Sequence, residues 1–518
     1  MADPTDHQGS GTSPSVLQSA FWLMAAKTVA FAFSFVVPLF LVRHMSQKDF
    51  GLYKQAFLAV NTVVAIFPLG FVMSAFYFLP RESEKKKQVV FNILLFYLAT
   101  GAGASMIMVL RPDLLAAIFN AADLIEYAPL IGAVMLVWIT GSFFEFVAVA
   151  NGEAPLAAGF LVVVHFSRAV LFTAAAIFFT SLHALLYAAL IHGVLQTAAS
   201  LVYLDWRFPR FWRRFDASLM RSQLAYALPL GLVGLLYYLQ ADLHQYFVSN
   251  RFGPELYAIY AVGCFELPLL GILIESIRSV MIARVSTLRH ENNRREIIEL
   301  SAQMMRTLGM VFLPVYALLL VVGREFITFL FTAQYIDSWP IFAINLTLIP
   351  LSILSSFTDP VFRAYPEHRF FLLATRTLTF ALLLIGLWFG VKQFFLLGAV
   401  GVVVAINFIE VFAFGIKAAR ILGMAPRDLP LFKDLGKLAG ASLIAGAVAA
   451  AAREAVLGMG PFAVLAMCGV VFALVYVLAV FLLEVPTPEE MQKLRDGAGR
   501  LSLHGLWRKA ARLSRVGS

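Results

Sequence analysis

The chain has 518 residues, 60% of them hydrophobic and only 14% charged, with 40 Lys and Arg against 31 Asp and Glu. A soluble protein carries about a quarter charged residues. With a mean hydropathy of +0.82, this chain has more apolar surface than a water-soluble core can hide, so it reads as an all-α polytopic membrane protein. Cys264 and Cys468 both lie in apolar runs and read as small packing residues, not as a disulfide or a metal pair.

Residues 1–16 are polar and contain no Lys or Arg. They lack the basic segment of a secretory signal and are expected to form a disordered cytoplasmic tail, so the first apolar span is retained. Apolar windows then predict fourteen transmembrane helices, at 17–42, 55–79, 89–110, 128–150, 156–180, 183–204, 223–249, 256–283, 302–322, 338–362, 370–391, 394–416, 435–456 and 461–484. The connections are short, and no soluble domain is expected. Residues 205–222 form a basic linker.

Positive charge orients these spans. With the N-terminus cytoplasmic, 27 of the 40 Lys and Arg fall on the inner side, 8 fall outside and 5 lie within spans. That asymmetry places both termini in the cytoplasm. It also accounts for the net charge of +9 without a nucleic-acid partner. The tail, 485–518, carries Leu503, Leu506, Trp507, Ala510 and Leu513 on one helical side and basic residues on the other. It is expected to lie as an amphipathic helix on the anionic inner leaflet, a frayed basic tail being the alternative.

The chain also repeats itself at an offset near 210. "KDFGLYKQAF" faces "GPELYAIYAVG", "LRPDLLAAIFNAADLIEYAPLI" faces "VGREFITFLFTAQYIDSWPIFA", and "FSRAVLF" faces "ATRTLTF". These pairs bring Arg111 to Arg324, Pro129 to Pro340 and Arg168 to Arg376. Spans 1–6 (17–204) and 7–12 (223–416) therefore read as two six-helix repeats, with spans 13–14 (435–484) appended. Parallel repeats of this kind mark transporters that work a central site by rocking one half against the other. Prolines within spans, among them Pro38, Pro68, Pro229, Pro268, Pro314 and Pro350, supply bends.

Three stretches carry a family resemblance: "LVRHMSQKDFGLYKQ", "YALPLGLVGLLYYLQADLHQYFVSNRFGPELYAIYAVG" and "FLPVYALLLVVGREFITFLFTAQYIDSW". In order and spacing they resemble bacterial polysaccharide flippases of the multidrug/oligosaccharidyl-lipid/polysaccharide exporter superfamily. The chain departs from that pattern at "ADLHQYF", where an Asp-Arg or Asp-Lys pair is the family form. The resemblance implies a bacterial inner-membrane protein that is not an enzyme and uses no cofactor. It implies movement of undecaprenyl-pyrophosphate-linked oligosaccharide to the outer leaflet, for O-antigen, capsule or exopolysaccharide assembly. Its implied partners are that lipid-linked cargo, the bilayer, a polysaccharide polymerase and a chain-length regulator. A multidrug/cation antiporter and a peptidoglycan-precursor flippase stand as alternatives.

A pyrophosphate crossing hydrocarbon needs cations in a wet lumen, and arginine supplies forked, charge-assisted hydrogen bonds. Lys27 in span 1, Arg168 in span 5 and Arg376 in span 11 are the candidate substrate-binding residues, with His165 one turn before Arg168. The competing reading pairs each cation with a buried carboxylate and makes His165 a packing residue. Arg278 and Arg306 lie close to the inner surface and are expected to snorkel outward. Buried acids can carry a proton or hold sodium, which makes Glu145, Asp242, Glu266 and Asp359 candidates for ion coupling. No phosphate-binding glycine loop is present, which argues against ATP as the energy source.

Overall fold

In the computed structural model, the residues described are 25–29, 33 and 37–486. The amphipathic tail expected over 485–518 and the polar stretch 1–16 lie almost wholly outside them. Among the described residues the secondary structure is helical throughout, with no strand. The protein is a multi-pass membrane protein. Among the described residues nine helices are long and apolar enough to cross a bilayer, or ten if a bent pair is counted as one span.

The elements are α1 (Gln47–Ile66), α2 (Met73–Arg81), α3 (Lys86–Leu110), α4 (Asp113–Phe119), α5 (Leu124–Gly141), α6 (Phe144–Ala150), α7 (Ala154–Phe178) and α8 (Leu182–Arg207). They continue as α9 (Ala217–Gly263), α10 (Pro268–His290), α11 (Arg294–Phe331), α12 (Trp339–Asn345), α13 (Leu348–Ala364), α14 (Arg369–Leu422), α15 (Lys433–Val456) and α16 (Pro461–Leu482). Local chemistry sets several starts. The Ser46 hydroxyl accepts from the Asp49 N–H at 3.1 Å and opens α1. Ser181 does the same for α8 through Ala184, and Asp216 opens α9 through Leu219. Pro155 and Pro461 stand in the first turns of α7 and α16, where a missing N–H costs nothing.

Two of these helices are too long to be single spans. At 1.5 Å per residue, the 54 residues of α14 would reach about 80 Å against a hydrocarbon core of about 30 Å. The chain reverses at Phe395 (φ 52°, ψ −133°), and a Cβ on Gly398 would lie 1.9 Å from the Gly390 carbonyl oxygen. The two arms therefore run back along each other, and α14 contains both predicted spans 11 and 12. Likewise α9 turns at Gly253 (φ 77°), between predicted spans 7 and 8. Predicted span 2 is broken instead into α1 and α2, across a turn where Leu69 and Gly70 have φ of 47° and 63°. A Cβ on Gly231 would sit 1.8 Å from the Leu69 oxygen, so only glycine lets α9 pass this turn.

The chain divides into two compact units. The first holds Met1–Ser276, Leu330–Asn345 and Thr377–Ile406; the second holds Ile277–Phe329, Leu346–Arg376 and Asn407–Ser518. In the first, α3 packs along α5, α5 along α8, and α1 along α9. Small residues permit this closeness: a Cβ on Gly132 would meet the Ser105 oxygen at 3.0 Å, and one on Gly51 the Pro254 oxygen at 1.9 Å. In the second unit α15 and α16 pack side by side, burying Ala445, Ala449 and Phe472.

Within the first unit, segments of the two sequence repeats exchange hydrogen bonds reciprocally. Arg43 donates to the Leu330 carbonyl at 2.8 Å, and Asn250 donates to the Ala117 carbonyl at 3.0 Å. Under the repeat offset, Arg43 corresponds to Asn250 and Ala117 to Leu330. Gln47 donates to the Gln334 carbonyl at 2.5 Å, and the Gln334 amide returns a bond to the Val42 carbonyl at 2.9 Å. Phe50 packs edge-on against the buried Tyr335 beside them.

Candidate functional site

Arg168 sits near the middle of α7, in the first unit. Its guanidinium lies 4.5 Å from the ring centre of Trp138 on α5 and 5.4 Å from that of Phe172, one turn along α7. Phe57 of α1 supports both rings, at 5.8 and 5.4 Å, and is itself backed by Tyr53 at 4.8 Å. The Trp138 indole N–H donates to the Ala189 carbonyl at 2.9 Å, which fixes the ring. Behind it the buried His192 lies 3.3 Å from the Ser167 hydroxyl. No carboxylate among the described residues lies within ion-pair distance of Arg168. The aromatic faces offset part of the cost of the charge, and its remaining hydrogen-bonding capacity is not used on an acid.

The other candidates differ in this respect. Lys27 is paired with Glu145 of α6 at 3.1 Å, so a predicted cargo residue and a predicted coupling residue neutralise each other. In the second unit Arg376 meets Glu410 at 3.4 Å, both within α14 on either side of the reversal. Arg376 thus has a carboxylate partner where its repeat counterpart Arg168 has none among the described residues. Arg278 is bound to Asp359 at 3.2 Å, and Arg306 to Asp434 at 3.3 Å. Arg306 also donates to the Val485 carbonyl at 3.1 Å and is only 11% exposed. Asp434 is the second residue of α15 and Val485 follows the end of α16, so the Arg306 guanidinium is held at the ends of two helices. Both arginines thus meet carboxylates on neighbouring helices. His165 is half-buried and engaged in interactions of its own.

Asp242 lies on α9, accepting from the Gln245 amide at 3.0 Å. The buried Tyr257 hydroxyl donates to the other end of that amide, also at 3.0 Å, and His244 contacts the Tyr260 hydroxyl at 2.7 Å. Asp242 thus heads a hydrogen-bonded chain across the two arms of α9. Glu266 lies on the exposed break between α9 and α10. Among the described residues there is no group of three His, Cys, Asp or Glu side chains placed to hold a metal ion.

Sequence reasoning missed one cation. Lys54, one residue before predicted span 2 and so among the eight cations placed outside, is the eighth residue of α1 and half-buried. Its ammonium lies 5.6 Å from the Phe50 ring, with no carboxylate within ion-pair distance among the described residues. The window method placed the start of the span at residue 55, one residue too late to see it. The Ser46 cap, eight residues earlier, was the available signal.

The family model described as "Polysaccharide biosynthesis protein" matches residues 40–340, which is 301 of 518 positions. Among solved structures, the chain is similar to the lipid II flippase MurJ in an inward closed conformation. The TM-score is 0.71 at 14% identity, covering 89% of this chain and 98% of that one. It is also similar to a multidrug resistance MATE family transporter of the MOP superfamily in an inward-facing conformation, with TM-score 0.60, 17% identity and coverage of 78% and 96%. The MATE transporter VcmN of Vibrio cholerae gives 0.52 at 17% identity, with coverage of 80% and 97%. No match is found among curated protein sequences. At these identities the solved structures establish a shared fold, and the match over more than half the chain establishes descent: the chain belongs to the polysaccharide biosynthesis protein family, in the fold of the MOP-superfamily flippases and transporters.

Proposed function

We propose that the protein flips a polyprenyl-pyrophosphate-linked oligosaccharide across the bacterial inner membrane, from the cytoplasmic to the outer leaflet. The observation that carries this reading is Arg168: a cation in the membrane interior, cushioned by Trp138 and Phe172, with no carboxylate partner among the described residues. An arginine that served to lock helices would be expected to sit against an acid, as Arg376 and Arg453 do. One held by aromatic faces keeps its donors for a transient anion. The pyrophosphate is that anion in this reading. Lys54, and Lys27 through exchange of its bond to Glu145, are the accessory cations.

The reciprocal bonds between Arg43 and Leu330, and between Asn250 and Ala117, form the outer gate in this reading, opening and closing as the two six-helix halves rock. Because the two sets are related by the repeat, one rocking motion breaks both. Asp242, with Gln245 and Tyr257 across the bend of α9, is the proposed ion-coupling acid, with Glu266, on the break after α9, as the second candidate. The paired state of Asp359 makes it a helix tie in this reading.

The test is the pool of polyprenyl-pyrophosphate glycans in cells lacking the protein, measured by mass spectrometry alongside staining for surface polysaccharide. Accumulation of a lipid-linked oligosaccharide with loss of the surface polymer is expected and would name the sugars. An unchanged pool with new sensitivity to cationic drugs would move the assignment to an antiporter.

A further inference from the structure

The linker between α8 and α9 reads "DWRFPRFWRRF" over residues 205–215, alternating aromatic and basic side chains. It is not a loose connection. Phe208 and Phe211 are buried, Phe211 packs against Phe91 of α3 at 6.1 Å, and Arg210 takes a left-handed turn (φ 60°) between them. The other aromatics are turned outward: Trp206 is 70% exposed, Trp212 48% and Phe215 53%. Arg210, Arg213 and Arg214 are exposed as well, with no carboxylate within ion-pair distance among the described residues.

Beside this anchored segment lies an open cleft of about 260 Å³, lined by Glu84, Lys86, Lys87, Asn151, Arg207 and Phe208. Three cations thus surround it against one acid. Lys86 is half-buried and donates to the Asn151 amide oxygen at 3.4 Å, which holds its ammonium in the cleft. Arg207 is tied to Glu153 at 2.5 Å, and the Tyr203 hydroxyl donates to the same carboxylate at 2.6 Å. Lys86 and Lys87 have no carboxylate within ion-pair distance among the described residues. The cleft sits where α3 begins, α6 ends and α8 ends, so it lies level with the ends of three spans, at the membrane boundary.

We propose that this cleft and its linker bind the headgroup of an anionic phospholipid of the surrounding leaflet. Lys86 and Lys87 take the phosphate beside Arg207, which stays tied to Glu153, and Trp206, Trp212 and Phe215 settle among the glycerol and upper acyl groups. The exposed aromatics are what favour a lipid over a free anion: a soluble phosphate makes no use of three large rings at the boundary, whereas interfacial Trp and Phe with flanking Arg is the composition that lies in a headgroup layer. The leaflet is the inner one under the orientation proposed above. The site does not depend on which cargo the protein moves, so it stands or falls apart from the flippase reading.

Native mass spectrometry of the full chain in detergent, titrated with phosphatidylglycerol or phosphatidylcholine, tests this. The wild type is expected to retain phosphatidylglycerol in preference to phosphatidylcholine. Removing two cations by Lys86→Gln with Lys87→Gln should weaken phosphatidylglycerol retention about thirtyfold. Glu84→Gln removes the one opposing charge and should strengthen it about fivefold, a gain that misfolding cannot imitate. Equal retention of both lipids, an unchanged affinity in the double variant, no gain in Glu84→Gln, or displacement of the lipid by millimolar inorganic phosphate would each overturn the proposal.

Discussion

Replacing Arg168 by methionine separates a lumen cation from a structural one. In the resting protein its visible support is two aromatic faces, worth about 0.5–2 kcal/mol together. Against this stands the cost of a cation in the membrane interior, at least about 2.5 kcal/mol even on lenient scales. Methionine is unbranched, fills a similar volume between Trp138 and Phe172, and removes the charge. The stability of Arg168→Met in detergent should therefore equal or exceed that of the wild type, read as Tm by thermal shift. Transport should move the other way. A charge-assisted hydrogen bond to phosphate is worth about 1.5–3 kcal/mol, so losing it should slow flipping by about tenfold to 150-fold. The assay is surface polysaccharide in cells complemented with each variant at matched expression. A Tm lowered by several degrees with transport intact would show that Arg168 is a packing residue and refute the reasoning.

Other consequences follow from particular contacts. Locking the proposed gate with Gln47→Cys and Gln334→Cys, in a chain with Cys264 and Cys468 changed to alanine, should abolish transport under oxidation and restore it on reduction; transport that persists in the oxidised form would show that this end need not open. Arg453 meets Glu325 at 2.6 Å with both side chains mostly buried, so Glu325→Gln, which leaves the arginine only the exposed Glu454 at 3.7 Å, should cost up to about 3 kcal/mol, while Glu325→Leu with Arg453→Met recovers most of it in denaturation midpoints. Asp428, outside the spans, is held below the usual carboxylate range, first by the Ala425 N–H at 2.9 Å and then by Arg295. A depressed carboxyl stabilises above its unfolded pKa of about 4 and loses that contribution as pH falls through the folded value. Asp428→Asn should therefore lower Tm at neutral pH and flatten its decline between about pH 5 and pH 3, measured by thermal shift across that range.

How much of this could be seen in the sequence varies with the range of the interaction. Apolar windows located the spans because burial in lipid is a property of each segment alone. They placed the long helices α3, α7, α8, α15 and α16 within a few residues. They did not see that α1 and α2 part at Leu69 and Gly70, because that break depends on α9 passing with Gly231 against it. The start of α11 at Arg294 was also missed, since its first two turns set Ile297 and Ile298, both buried, among Arg294, Arg295, Glu296 and Glu299, and no long apolar window reaches them. For the site, the sequence singled out Arg168 and Arg376 together as repeat equivalents. It could not separate them, because the difference is Glu410, which comes within reach of Arg376 only when the chain reverses at Phe395. Lys27 and Glu145 lie 118 residues apart, and no periodicity joins them. The reciprocal bonds of Arg43 and Asn250 run to backbone carbonyls, which leave no mark in residue identity; only the duplication hinted at them.

The central claim is that this chain moves a lipid-linked pyrophosphate, and purified protein in liposomes tests it most directly. The vesicles would carry a fluorescent polyprenyl-pyrophosphate saccharide in both leaflets, with a membrane-impermeant quencher added outside. If the account holds, wild-type protein makes the inner pool accessible to the quencher, Arg168→Met does so at least tenfold more slowly, and the matching polyprenyl-monophosphate saccharide is moved less well. Wild-type vesicles that expose no more of the lipid than protein-free vesicles, or an Arg168→Met rate equal to that of the wild type, would contradict it.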